Sequence, residues 1–238
     1  MFDVDGTLTD ARRTIVPEFK VFMFDFVANN TCMIVTGSDR PKTIEQIGEN
    51  LTNSFARVYH CSGNHVYVGS KEVYKSEWKL SEAQQTFLQT ILHTFDYPEM
   101  TGNHIEHRTG TANFSIVGRN ANWDQRARYA VWEKTNRGRD TVAMYYNQEF
   151  DDSIAQVAGQ TSIDIFKKSC DKSQAIKEQK GTTIYFGDHC QPGGNDFTAA
   201  QASTYYHQID NGYQQTWEIL KNTYILSLIH ISEPTRPY

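Results

Sequence analysis

The chain has 238 residues, 39% hydrophobic and 21% charged, with a formal net charge of -5 at pH 7. That content supports a packed core and excludes global disorder. The acidic balance excludes a broad nucleic-acid-binding surface and leaves any anion site to a local basic cluster. Cys32, Cys61, Cys170 and Cys190 are scattered, with neither C-x-x-C nor zinc spacing, and read as reduced thiols. No leader peptide or long apolar run is apparent, so the chain reads as cytoplasmic with no membrane partner.

The chain opens Met1-Phe2-Asp3-Val4-Asp5-Gly6-Thr7. A D-x-D start also begins calcium loops, but those need a third ligand and a closing glutamate. Thr7, Thr9 and Ala11 follow instead. What remains is a loop at a strand end, where one aspartate can attack phosphorus and the next can carry a proton. Only Met1 and Phe2 precede Asp3, whereas a strand is normally ~5–6 residues long. A truncated first strand is therefore expected.

Thr31 to Val35 reads as a buried parallel strand, followed by Thr36-Gly37-Ser38-Asp39. Pro41 then opens a helix running through Gln46 and Leu51. Helical patterns are predicted over Ser81 to Phe95, over Trp123 to Lys134 with Asn122 and Gln125 as cap and box, and over Phe150 to Ala158. Strands are predicted over Ile105 to Arg108, Ala112 to Val117, Thr141 to Tyr146, Thr161 to Phe166 and Thr183 to Phe186. This predicts an α/β fold with a split core, residues 1–76 and 167–223, around an α+β insert at 77–166. Residues 224–238 change character abruptly and read as a non-native tail.

Three core strands run into acid-bearing loops: Asp3/Asp5, Ser38/Asp39 and Asp188/Asn195/Asp196. In open α/β sheets ligands bind beyond the carboxyl ends of the strands, so these acids can converge. Clustered carboxylates repel unless a cation joins them, and oxygen ligands with a phosphate suit Mg²⁺. Lys172 can supply further positive charge, although a lone lysine is more often a solvated surface residue.

Together the segments FDVDGTLT, GSDRPKTIEQIG, HIEHRTGTANFSIVGRN, the arginine at 126, GQTSIDIF, CDKSQAI and IYFGDHCQPGGND resemble the haloacid-dehalogenase superfamily, and within it the eukaryotic-type phosphomannomutases. The resemblance covers nearly all of residues 1–197. It implies a Rossmann-like core with a parallel sheet and an inserted α+β cap. It makes Asp3 the nucleophile, Asp5 the general acid/base and Lys172 the charge partner. Mg²⁺ would be held by Asp3, the Asp5 carbonyl and Asp188. Ser38, or alternatively Thr36, would donate to the moving phosphoryl group.

Arg12, Arg108, Arg119, Arg126, Ser162 and Asp164 match the family's sugar-phosphate contacts. Each arginine taken alone would more often be solvated. A hexose bisphosphate has a second phosphate, and arginine forks fit it. The implied activity interconverts mannose 6-phosphate and mannose 1-phosphate for GDP-mannose synthesis. A sugar-phosphate phosphatase of the same superfamily is the alternative, and an inactive binding protein a second. Ala200 to Ser203 has no acid where the family has a further cation loop, so that site is not carried over. The resemblance also implies a homodimer through the cap, although His104 stands where the family tends to be aromatic.

Overall fold

The computed structural model describes residues 1–158 and 160–225, so the expected tail at 224–238 lies outside the described residues beyond Ile225. Two compact units emerge: Met1–Val73 with the described residues from Lys172 onward, and Tyr74–Asp171.

The first unit begins with helix α1 (Pro17–Asn29), which has proline in its first turn. It buries Phe19, Met23, Phe26 and Val27 on one stripe, while Val21 and Phe24 face outward. No helix was expected there, because aromatics on both faces blur the 3.6-residue period. Strand β1 (Met33–Val35) follows. The single helix expected from Pro41 to Leu51 is two, α2 (Arg40–Ile47) and α3 (Glu49–Ser54), parted at Gly48 with φ +84°. Asp39 caps α2 by accepting from the Lys42 amide at 3.0 Å, which commits it to structure rather than to the acid cluster. Strands β2 (Arg57–His60), β3 (His65–Val68) and β4 (Lys71–Lys75) complete this half.

The second unit contains α4 (Glu82–Leu92), β5 (Ile105–Arg108), β6 (Thr111–Phe114), α5 (Trp123–Asn136), α6 (Gly138–Glu149), β7 (Ser153–Ala158) and β8 (Ser162–Lys167). Ser81 with Gln84, and Asn122 with Gln125, form the capping boxes of α4 and α5. Two expected elements are exchanged. Thr141 to Tyr146 is helix, not strand: Val142, Ala143 and Tyr146 are buried while Met144 and Tyr145 are exposed, a helical period. Phe150 to Ala158 holds no helix. The chain leaves α6 at Phe150 in extended conformation, and β7 pairs with β8 from Ser153↔Lys167 to Ala158↔Ser162. The sheet order is β5-β6-β8-β7, all antiparallel. One face, with Phe114, Ile163, Ile165 and Ala155, packs on Leu88, Tyr129, Val142 and Tyr146. Side chains alternate faces along a strand, so the opposite face carries the row Glu106–Asn113–Asp164–Gln156, each in register with the next.

The chain then re-enters the first unit through α7 (Ser173–Lys177), β9 (Ile184–Gly187), α8 (Phe197–Ala202), β10 (Tyr205–Gln208) and α9 (Gly212–Ile219). Strands β9 and β10 are parallel, as are β1 and β2. Phe2 bridges β1 and β9 in parallel, at Ile34 and Phe186. The ladder is carried by Phe2 N–H to Met33 O (2.9 Å), Val35 N–H to Phe2 O (2.8 Å) and Asp3 N–H to Phe186 O (2.9 Å). Met1 adds to this ladder, its amine donating to Ile184 O at 2.7 Å and its carbonyl accepting from the Phe186 amide at 2.9 Å. Three residues therefore hold the middle of the sheet, with the buried Phe2 ring stacked on Phe186 at 4.9 Å. Because β1, Phe2 and β9 are parallel neighbours, their carboxyl ends coincide, and Thr36, Asp3 and Asp188 leave from one edge. No helix among the described residues is long and apolar enough to cross a membrane.

Candidate active site

That shared edge gathers charge in a dry place. Lys172, at the start of α7, reaches Asp3 Oδ1 at 2.8 Å and Asp196 Oδ1 at 2.7 Å, and all three side chains are essentially inaccessible. Asp196 also accepts from the Tyr185 hydroxyl (2.5 Å) and the His189 amide (3.1 Å). Burial works against the Asp196 carboxylate, but Lys172 and these donors outweigh it and hold the group below its ordinary range. Asp3 has the same lysine and fewer donors. Burial pushes it up to about 8, with the Asp196 charge adding to the push. Asp188 is raised to about 6, first by burial and then by Asp196. Lys172 loses by burial and gains more from its two carboxylates, so it stays charged.

Lys172 faces Asp3 and Asp196, His189 Nε2 lies 3.3 Å from Asp188 Oδ2, and of the three acids only Asp196 is held below its ordinary range. Ligand oxygens of Asp3, Asp188 and Asp196 lie within 4.8 Å of one another. Hard oxygen donors with a deficit of positive charge fit a divalent cation. Backbone geometry keeps the space open. A Cβ on Gly6 would lie 2.2 Å from Asp188 Oδ2, and φ there is +72°. Only glycine satisfies both conditions.

Asp5 sits half-buried beside this group, its Oδ1 accepting from the Arg12 amide (2.6 Å) and from Gln46 Nε2 (2.8 Å). These two donors leave its direction little freedom. Arg12 contributes backbone here, at φ +62°, and its side chain is exposed. Ser38 lies in a loop held from behind by the Cys61 amide on its carbonyl (3.0 Å) and the Ser62 amide on the Thr36 carbonyl (2.8 Å). The sequence reading left three members of this site without a role. Asp196 was visible in GGND beside Asp188. Tyr185 looked like ordinary strand core. Gln46 sat on a helix with no local sign that its amide meets Asp5.

In the other unit, Arg108 and Arg119 converge on one carboxylate. Arg108 Nε and Nη2 reach Glu106 at 3.2 and 3.3 Å, and Arg119 Nε reaches it at 2.5 Å. Arg119 Nη1 also donates to Ser162 Oγ at 3.1 Å. Asp164, on the same strand as Ser162, accepts from Asn113 Nδ2 at 2.6 Å. Burial lifts its pKa, against the pull of Asn113 and the two arginines. Arg126, near the start of α5, donates instead to the Ala121 carbonyl at 3.1 Å. The described contacts thus join Arg108, Arg119 and Ser162, and they join Asp164 to Asn113, but they do not join Arg126 to either.

A model of the eukaryotic phosphomannomutase family matches residues 19–226. A phosphomannomutase from Solanum lycopersicum is 31% identical over 206 residues, covering 82% of each chain. Phosphomannomutase 1 from Dictyostelium discoideum is 32% identical over 212 residues, covering 84% of this chain and 85% of that one. Among solved structures, a trehalose-6-phosphate phosphatase related protein superposes with a TM-score of 0.52 at 14% identity, over 96% of this chain and 98% of that one. A protein from Eubacterium rectale titled a putative phosphate superposes with a TM-score of 0.58 at 11% identity, over 92% and 96%. These likenesses show that the chain shares their fold. With the family model spanning both units, the chain belongs to the eukaryotic phosphomannomutase family.

Proposed function

We propose that the chain interconverts mannose 6-phosphate and mannose 1-phosphate through an aspartyl phosphate on Asp3 and a hexose bisphosphate, supplying GDP-mannose synthesis in the cytoplasm. The observation that carries this is the buried Asp3–Lys172–Asp196 triad with Asp188 alongside. Lys172, pinned by Asp196, stays charged next to the nucleophile. Asp3 is left short of positive charge, which suits a cation and a phosphoryl group. Mg²⁺ would be held by Asp3, Asp188 and the Asp5 carbonyl, and when bound it neutralises charge on the transferring phosphoryl group.

In the first half-reaction a sugar hydroxyl attacks the phosphorus of phospho-Asp3. Asp5, oriented by Gln46 and the Arg12 amide, takes the hydroxyl proton while the bond to Asp3 breaks. After the bisphosphate turns round, Asp3 attacks the other phosphate. Asp5 returns the proton to the leaving sugar oxygen. Ser38 donates to the moving phosphoryl group, and Arg12 contacts the sugar phosphate. Arg108, Arg119 and Arg126 bind the distal phosphate, with Ser162 and Asp164 on the sugar. A phosphatase acting on sugar phosphates would use the same triad. The paired guanidiniums on Glu106 favour the mutase, because simple hydrolysis needs no second phosphate clamp.

Intact-mass measurement after incubation with glucose 1,6-bisphosphate and Mg²⁺ tests this. One phosphoryl adduct that disappears in Asp3→Asn is expected. An adduct retained by folded Asp3→Asn removes Asp3 from the chemistry.

A further inference from the structure

Asn113 lies in the middle of the polar face of the β5-β6-β8-β7 sheet, in register with Glu106 on one side and Asp164 on the other. It is 4% exposed. Its Nδ2 donates to Asp164 Oδ1 at 2.6 Å, and its Oδ1 is buried with no hydrogen-bond partner. The direction of the amide follows from chemistry: a carboxylate accepts, so the NH₂ end must face Asp164 and the carbonyl end must face away. A buried, unpaired amide oxygen is an uncommon feature in a folded protein. Here it stands one strand from the carboxylate on which Arg108 and Arg119 converge, a separation of about 5 Å.

We propose that Asn113 is a specificity-determining residue of the sugar site, whose Oδ1 accepts a hydrogen bond from one ring hydroxyl of the bound hexose phosphate. This rests on the phosphomannomutase reading and sharpens it. The missing partner must be a donor. Arg108 and Arg119 lie close enough to Asp164 to pull against the burial that raises its pKa, so a further cationic donor would meet repulsion, and a neutral hydroxyl fits. A phosphate seated on the two forks would bring a neutral ring next to them, one strand over. Asn113 Oδ1 and the Asp164 carboxylate are adjacent acceptors on neighbouring strands, an arrangement matched by neighbouring hydroxyls on a ring. A site built this way discriminates through the hydroxyl it would otherwise leave unpaired.

The test is a cycle between protein and substrate. The kcat/KM of wild type and Asn113→Ala is measured on mannose 1-phosphate and on its 2-, 3- and 4-deoxy analogues. For wild type, one analogue is expected to lose roughly 10- to 100-fold, since it leaves the buried acceptor unpaired. For Asn113→Ala, that same analogue is expected within about twofold of the parent sugar, because the acceptor is already gone. Equal losses in the two proteins for every analogue would overturn the proposal and leave a structural water as the partner of Oδ1. If Asn113→Ala shows no cooperative melting, Asn113→Thr replaces it. The threonine hydroxyl can still donate to Asp164 and leaves no amide oxygen on the other side, so the deoxy penalty is expected to vanish, and its persistence would overturn the acceptor role. A wild-type protein that turns over none of these hexose phosphates overturns the functional reading and this proposal together. Turnover with independent losses overturns this proposal alone.

Discussion

The two charged clusters of this molecule are built on opposite terms. In the first unit Lys172, Asp3 and Asp196 are at most 4% exposed and hold fixed partners. In the second, Arg108 and Glu106 are 43% and 41% exposed, and two guanidiniums share one carboxylate. Burial makes the first cluster strong and unforgiving, because each charge depends on the others. Exposure makes the second exchangeable, because a guanidinium in water can leave a carboxylate for a phosphate at little net loss. Bond-making chemistry gains from charges already in place. Ligand capture gains from forks that can change partners. The contrast also predicts how each cluster fails.

The largest effect is expected at Asp3. Asp3→Asn keeps the shape and removes the proposed nucleophile, so turnover should fall by about 10⁴-fold or more, as with other covalent nucleophiles. Steady-state kinetics of a variant with unchanged circular dichroism checks this, and near-normal turnover would refute it. Lys172→Met should instead show itself in stability. It strands Asp196 and Asp3 as buried acids without their cation, which is worth about 3–5 kcal/mol when one partner of a buried pair is removed. Denaturant unfolding measures it. A loss below about 1 kcal/mol would mean the core cluster behaves like the exposed one and would dissolve the comparison.

In the second unit Arg119→Ala should leave the fold nearly unchanged and reduce mutase kcat/KM. The lost charged hydrogen bonds are worth about 1.5–3 kcal/mol, or roughly 10- to 150-fold. Arg119→Lys should recover part of this, because an ammonium cannot make the paired contact of a fork. A loss of melting temperature as large as that of Lys172→Met would show Arg119 to be structural.

The sequence reading reached the first cluster more readily than the second. Asp3, Asp5 and Asp188 stand at the ends of short apolar runs, and parallel strands bring such ends together regardless of distance along the chain. Asp196 shares an acid-bearing loop with Asp188, but only the fold shows that it faces Lys172. In the second unit, assignments failed where packing overrode local pattern. Thr141 to Tyr146 looks extended by its β-branched and aromatic content, yet it lies on a helix with Val142 and Tyr146 buried together. Ser153 to Ala158 has weak β-propensity and becomes a strand through its ladder to β8. Asn113 carried no signal at all: its interest lies in an unpaired oxygen, and pairing is a property of the fold.

The first unit also carries a pH-dependent term. His60 is fully buried in the first unit, its Nδ1 3.2 Å from Thr43 Oγ1. Burial, then the Arg40 and His65 charges, lowers its pKa from 6.5 to about 3. As pH falls through 6.5 the unfolded chain takes up a proton that the folded chain refuses. The contribution is therefore complete above pH 6.5 and is lost between 6.5 and about 3, at up to about 1.4 kcal/mol per pH unit. Denaturant unfolding of wild type and His60→Gln across that range should differ in slope, with the variant flatter. Parallel slopes would place the titrating group elsewhere.

The proposed function requires that a phosphoryl group move within one sugar rather than to water. It is tested most directly by supplying mannose 1-phosphate with catalytic glucose 1,6-bisphosphate and Mg²⁺ and following both products in one reaction. Mannose 6-phosphate should accumulate with free phosphate a minor product. Free phosphate as the main product would contradict the claim and make the protein a phosphatase.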